Sequence, residues 1–144
     1  MSKLFYLTSI RSRSLSLALL IYRVAFGAML LSHGLPKMME FESLSQSFPD
    51  PLGIGSVLSL ILVIIAEVIC SVFVIFGLIT RLSIIPILIT MLIAVFIIHG
   101  NDEFSKQELG LHYLIGSVFF LIVGPGNYSL DKWILKMRKK KFFK

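Results

Sequence analysis

The sequence holds a single cysteine, Cys70, so it can form no internal disulfide and has no Cys-x-x-Cys pair; a redox role would need a cofactor or a partner. Charge is scarce as well. Only 15% of the 144 residues are Asp, Glu, Lys or Arg, 56% are hydrophobic and the mean hydropathy is +0.89, which excludes an ordinary soluble class and points to an integral membrane protein. Acids are fewer than bases, 8 against 14, but nearly all of the positive excess sits at the two chain ends, where it reads as membrane topology. No nucleic-acid partner is expected. The sequence also lacks internal repeats and a cleavable leader pattern: the apolar run after Arg13 carries Arg23 and is followed by no small-residue cleavage site, so it is expected to stay as an anchor.

What is present is a series of apolar runs. A hydrocarbon core of about 30 Å needs roughly 20 apolar residues in a helix. The runs predict membrane spans at about 15–34, 54–79, 82–99 and 109–123, the last being the shortest. Short connections make sequential spans neighbours, so the expected fold is all-α, a single domain over 1–144 built as an antiparallel four-helix bundle. The polar connection 36–53 reads as a short segment lying on the membrane surface, with Pro49 and Pro51 ending any helix in it. In the tail 129–144, Trp133, Ile134 and Met137 oppose Lys132, Lys136 and Lys139 to Lys141, which reads as an amphipathic basic segment on an anionic leaflet.

Within the spans, helical spacing groups the small and polar residues. Arg23, Gly27, Leu30, Gly34 and Lys37 fall on one face of the first span, and Ser59, Ala66, Cys70 and Gly77 make a small-residue seam beside Glu67 in the second. Glu67 is the residue that most needs an explanation. A charge at the centre of a membrane helix costs about 2.5–3.5 kcal/mol on insertion scales, so it must face protein, be paired or be protonated. Counting about 1.5 Å per residue, Arg23 lies about 12 Å and Glu67 about 16 Å from the inner edge, and the two are expected to pair. A pair of this kind serves equally as a structural staple or as part of a binding site.

The three histidines, His33, His99 and His112, fall with Tyr113 at the outer span ends, near Lys37, Glu103 and Glu108. That grouping reads as a polar vestibule: a proton relay or a headgroup site for a quinone-like ligand, against the simpler alternative of histidines wetted at helix ends. No metal is assigned to it. Arg81 and Asp131 are read as structural elements of the inner turns.

In order along the chain, the residues Arg23 and Gly27, His33-Gly34-Leu35-Pro36-Lys37, Ala66-Glu67, Phe76-Gly77-Leu78-Ile79-Thr80-Arg81, Phe96-Ile97-Ile98-His99, Gly124-Pro125-Gly126 and Ser129-Leu130-Asp131 resemble the DoxX family of small four-span bacterial membrane proteins. The resemblance implies an inner-membrane protein linked to oxidoreductase complexes, with relatives associated with thiosulfate-to-quinone electron transfer and with oxidative-stress complexes. Quinone is the cofactor it implies, and a soluble or membrane redox subunit the partner. Two other functions stay open, a non-catalytic scaffold or assembly factor and a small-solute or ion permease; the absence of repeats and of broken midplane helices weighs against the permease unless the chain forms a homo-oligomer.

The basic residues give the first testable expectation. With the ends inside, the inner surface carries Lys3, Arg11, Arg13, Arg81 and the tail, while the outer loops hold Lys37 and Lys106 against six acids, so both termini are predicted to be cytoplasmic. In whole cells, an impermeant thiol reagent should label a cysteine introduced in the 36–53 loop and miss one at position 138. The reverse pattern would overturn the topology.

Overall fold

The computed structural model describes residues 12–142, and the side chains of 13–137. Helix α1 runs Ser12–Met39 and is followed by a single turn, α2 (Phe41–Leu44). The second long helix is continuous over Ser56–Phe76 and consists of α3 (Ser56–Ile64), a wider π-helical stretch Ile65–Cys70, and α4 (Ser71–Phe76). The third begins as α5 (Thr80–Ile93) and ends in a second π-helical stretch, Ala94–Ile98. Helix α6 spans Phe104–Val123, and α7 spans Leu130–Phe142. The described residues form helices and connections only, as the apolar runs predict.

Three helices are long and apolar enough to cross a membrane: Arg13–Met39, Ser56–Phe76 and Thr80–Ile98. Their outward faces remain apolar, with Ile21, Met29, Phe76, Leu82 and Phe96 among the exposed side chains, as lipid contact requires. Helix α6 is long enough, but Lys106, Gln107, Glu108 and His112 dilute its first half, and it does not reach the same apolarity.

The boundaries differ from the apolar runs in one way that matters to the site. Helix α1 does not stop near residue 34; it passes through Pro36 and ends at Met39. Proline removes one backbone donor but fits the helical φ, and the chain resumes helical bonding with the Glu40 N–H on the Pro36 carbonyl at 2.9 Å. Lys37 therefore projects from a helix, one turn beyond His33 and Gly34, and the 36–53 connection begins later than expected.

On α1 the buried residues are Ser16, Leu19, Arg23, Phe26, Gly27, Leu30 and Gly34, a stripe with the 3–4 spacing of one helix face. That stripe packs on the second long helix, which in turn packs on α5; α5 also packs closely on α6, while α1 and α6 touch less. Phe26, Leu30, Ala66, Cys70, Val74, Ile84, Ile87, Met91, Tyr113 and Phe120 form the shared core. Lipid tails are as apolar as these side chains, so association depends on close packing rather than on expulsion of water. Gly34 is where this is most demanding. A Cβ there would stand 2.7 Å from the Glu67 Cβ and 2.9 Å from its carbonyl carbon, so only glycine brings the α1 backbone onto the turn that holds the buried acid.

Gly34→Ala should therefore push α1 away from Glu67 and destabilise the protein by about 1–3 kcal/mol, the usual cost of overpacking. Thermal unfolding in detergent checks this. An unchanged midpoint would mean that the contact is not close in solution.

Candidate functional site

The contact at Gly34 sets the geometry of the histidine end of the fold, where His33 lies in the last turns of α1 and His99 follows the second π-helical stretch. One turn past Gly34, the Lys37 ammonium donates to Glu67 Oε2. Glu67 is only 5% exposed and lies in the π-helical stretch, where the Ser71 hydroxyl donates to its carbonyl at 2.5 Å. The facing helix also widens into a π-helical turn at Ala94–Ile98, so the acid lies between two such turns, a geometry common at functional sites. The Lys37 side chain keeps 29% of its surface exposed against 7% for Glu67, so the pair runs from the core toward the rim.

Two cavities meet at this pair. One, of about 160 Å³, is lined by His33, Lys37, Glu67, His99, Lys106 and Tyr113 together with apolar residues such as Leu30 and Val95. Tyr113 is 5% exposed, and its hydroxyl is the one buried side-chain polar atom among the described residues without a hydrogen-bond partner. The other, of about 390 Å³, is a mainly apolar cleft between the second and third long helices, walled by residues such as Leu62, Ile89, Ile93 and Ile98 under the loop that carries Phe48, Pro49 and Leu52. Lys37, Glu67, Ala94 and His99 line both.

That loop is fixed by Asp50, which accepts the N–H groups of Ile54 (3.0 Å) and Gly55 (2.8 Å) and the Ser59 hydroxyl (2.9 Å). These donors, the Gly55 N–H foremost, hold its carboxyl below the ordinary carboxylate range. A depressed folded-state value means that the stabilisation is fully present above the unfolded value of about 3.9 and is lost only as pH falls through the folded one, so the roof of the cleft stays fastened at neutral pH.

The three histidines do not all converge. His33 meets the edge of the Tyr113 ring at 6.0 Å, and His99 Nδ1 lies 2.8 Å from Asp102 Oδ2; that hydrogen bond, and then the charge of Lys106, hold Asp102 below its ordinary range. His112 instead places Nδ1 2.8 Å from the Glu108 carbonyl and lines an adjoining groove with Tyr22, Met29 and Ser105, divided from the first cavity by Leu109 and Tyr113, which line both. The reason is angular: His112 and Tyr113 are adjacent on α6, so their side chains leave about 100° apart and only Tyr113 faces the cavity. Among the described residues no three His, Cys, Asp or Glu side chains could hold a metal ion. Sequence reasoning missed Gln107, which donates to the His99 carbonyl at 2.7 Å, and the Asp50–Ser59 clasp; the alternating Pro, Asp and Gly residues of that loop were the only local signal.

Arg23 does not pair with Glu67. It is 2% exposed at the opposite end of the fold, and its guanidinium donates to three carbonyls: Nε to Ile75 (3.3 Å), Nη1 to Pro125 (2.5 Å) and Nη2 to Tyr128 (2.8 Å). In an antiparallel pair, each step forward along α1 is a step back along its neighbour. With Gly34 on Glu67, Arg23 lies three turns away, roughly 16 Å, level with the end of α4 rather than with the acid. The expected pairing failed because distance from a span edge does not fix register. Gly77, at φ 68°, ends α4 in the left-handed region, and a Cβ there would meet Ser129 Cβ at 2.6 Å and Arg23 Nη1 at 2.7 Å. Asp131 caps the next helix, accepting the Ile79 N–H at 2.7 Å, the Thr80 N–H at 3.1 Å and the Thr80 hydroxyl at 3.2 Å; Arg81 donates to the Ile122 carbonyl at 3.3 Å.

The DoxX family model matches residues 18–100, more than half of the chain. The match takes in Arg23, His33, Lys37, Glu67, Arg81 and His99, and leaves His112, Tyr113 and Asp131 beyond it. An uncharacterized membrane protein of Mycobacterium tuberculosis is 28% identical over 131 aligned residues, covering 79% of this chain and 79% of that protein. No solved structure matches.

The two ends should be energetically separate. Arg23→Met strands three carbonyls and should cost at least about 3 kcal/mol of stability, since each buried unsatisfied acceptor costs about 1–3 kcal/mol. Its effect should add to that of Glu67→Gln within about 0.5 kcal/mol, whereas Lys37→Met and Glu67→Gln should be strongly non-additive. A double-mutant cycle of thermal unfolding in detergent measures both; strong coupling between 23 and 67 would contradict the geometry.

Proposed function

This chain belongs to the DoxX family, and from the site at its outer end we propose that it acts as a quinone-proximal, proton-handling subunit of a membrane oxidoreductase complex. In this reading α6 is the fourth span, closing an antiparallel four-helix bundle in the bacterial inner membrane with both termini cytoplasmic. The exposed apolar face of α6, with Ile115, Val118 and Ile122, and the ring contacts of Phe26 with Tyr113 and Phe120 support it.

One observation carries the proposal: the Lys37–Glu67 pair stands between a cavity lined by His33, His99, Lys106 and Tyr113, whose hydroxyl has no partner, and a mainly apolar cleft. These residues fit a quinone-like molecule. Lys37, the Tyr113 hydroxyl and a ring N–H of His33 or His99 supply donors for carbonyl oxygens, and the cleft under the Asp50 loop supplies an apolar bed for a tail. A bound quinone supplies two-electron, two-proton redox chemistry. The chain's own part is to orient the head, to keep a carboxylate and an ammonium beside it, and to hold protons on groups reachable from the outer surface.

A scaffold role remains the second reading, favoured by Arg23, whose buried guanidinium uses all three of its nitrogens on carbonyls of the same chain and is placed to fix the fold rather than to bind.

Tyr113→Phe separates the two. The hydroxyl has no protein partner, so its loss should leave thermal stability unchanged while weakening binding of a short-chain quinone by roughly three- to tenfold, the worth of one hydrogen bond. Calorimetric titration of the purified protein measures this. The double variant His33→Ala, His99→Ala should in addition fail to complement a deletion strain at normal protein levels. Absence of quinone binding by the wild type, or full complementation by the double variant, would leave the scaffold reading in place.

A further inference from the structure

At the basic end of the fold, opposite the proposed quinone site, a second cleft of about 810 Å³ opens between the α4–α5 turn, the 123–127 segment and α7. Its walls include Leu78, Ile79, Leu82, Val123, Ile134 and Leu135. Two cations line it, Arg81 and Lys132. Arg81 spends one bond, at 3.3 Å, on the Ile122 carbonyl, which leaves most of its five N–H donors free, and among the described residues the Lys132 ammonium makes no hydrogen bond or ion pair. The one acid there, Asp131, is committed to the Ile79 and Thr80 amides and the Thr80 hydroxyl, so its charge is already compensated by the start of α5.

The depth of the cleft follows from α7. On this helix Trp133, Leu135 and Met137 are exposed beside Lys132 and Lys136, the composition of a helix lying in the membrane interface, with indole and ammonium groups at headgroup level. The turn between the second and third spans enters the same cleft. With α7 in the interface, the apolar walls would meet the acyl region and the two cations the level of the lipid phosphates. 

We propose that this cleft is a binding site for an anionic phospholipid, with the phosphodiester held by Arg81 and Lys132 and the first acyl carbons against Leu78, Leu82 and Ile134. Zwitterionic lipids are bound less well because their own ammonium meets the same two cations. The site ties α7 to the α4–α5 turn through a lipid, alongside the direct Asp131 bonds, and makes the packing of this end depend on the anionic fraction of the membrane.

Trp133 is the one tryptophan in the chain; it lies outside the cleft lining but next to Lys132 on α7, so its fluorescence reports on lipid held near that residue. The full-length protein is placed in nanodiscs in which a small fraction of the lipid is brominated, as either phosphatidylglycerol or phosphatidylcholine, and Trp133 fluorescence is read. The expected result is stronger quenching by the anionic lipid at equal mole fraction, with the preference falling roughly fivefold for each cation removed in Arg81→Gln and Lys132→Gln. Lys136→Gln, on the same helix but outside the cleft, should retain most of the preference, and millimolar inorganic phosphate should not displace it. If Arg81→Gln does not yield folded protein, Lys132→Gln against Lys136→Gln decides. Equal quenching by the two lipids in the wild type overturns the site, as does an equal loss in the Lys132 and Lys136 variants, which would assign the preference to the general charge of α7. Displacement by inorganic phosphate would make it a site for free phosphate and overturn the lipid as occupant.

Discussion

A carboxylate in an apolar helix must be compensated, and much of this fold follows from how Glu67 is. Its partner is an ammonium on the neighbouring helix, brought into reach by the glycine one turn earlier and by the passage of α1 through Pro36. Pairing two charges in a low dielectric adds little net stability, because desolvation offsets the attraction; losing one partner is costly because the other is left buried. The pair therefore constrains the register of α1 against the second span more than it strengthens it. Lys37 makes the arrangement tolerable by reaching inward to the acid along its apolar stem, with 29% of its side chain still exposed.

The two ends of the molecule use their polar groups differently. At the basic end, Arg23, Asp131 and the Gly77 turn form a closed set in which donors meet acceptors of the same chain, and this set joins α1, the α4–α5 turn and the segment leading into α7. Such satisfaction leaves no chemistry to offer at Arg23 itself. At the histidine end the set is incomplete: a buried hydroxyl lacks a partner, two helices are widened by π-helical turns, and two cavities adjoin one ion pair. Buried polar groups are normally paired, so an orphan in a cavity marks a place where something else completes the hydrogen bonding. The fold is thus tied together at its basic end and leaves hydrogen-bonding groups open at its histidine end.

Hydrophobic content and run length were enough to establish an all-helical membrane protein, because the cost of exposing backbone polar groups to hydrocarbon leaves a chain of this composition few alternatives. The motif order was enough for the family. Helical periodicity likewise picked out the buried face of α1 and the residues that have to be explained, Arg23, Lys37 and Glu67, since position on a face depends only on residues within one helix. The partners of those residues depend on register between helices, which periodicity does not contain. Register is set where the backbones touch, at Gly34 and Gly77, and it gave Glu67 to Lys37 and Arg23 to three carbonyls. The same limit explains the histidines: sequence could place all three at one end, but the rotation of α6 about its axis turned Tyr113 into the cavity and His112 away from it. Sequence determined which groups the membrane would make expensive, and tertiary structure decided which of them would meet.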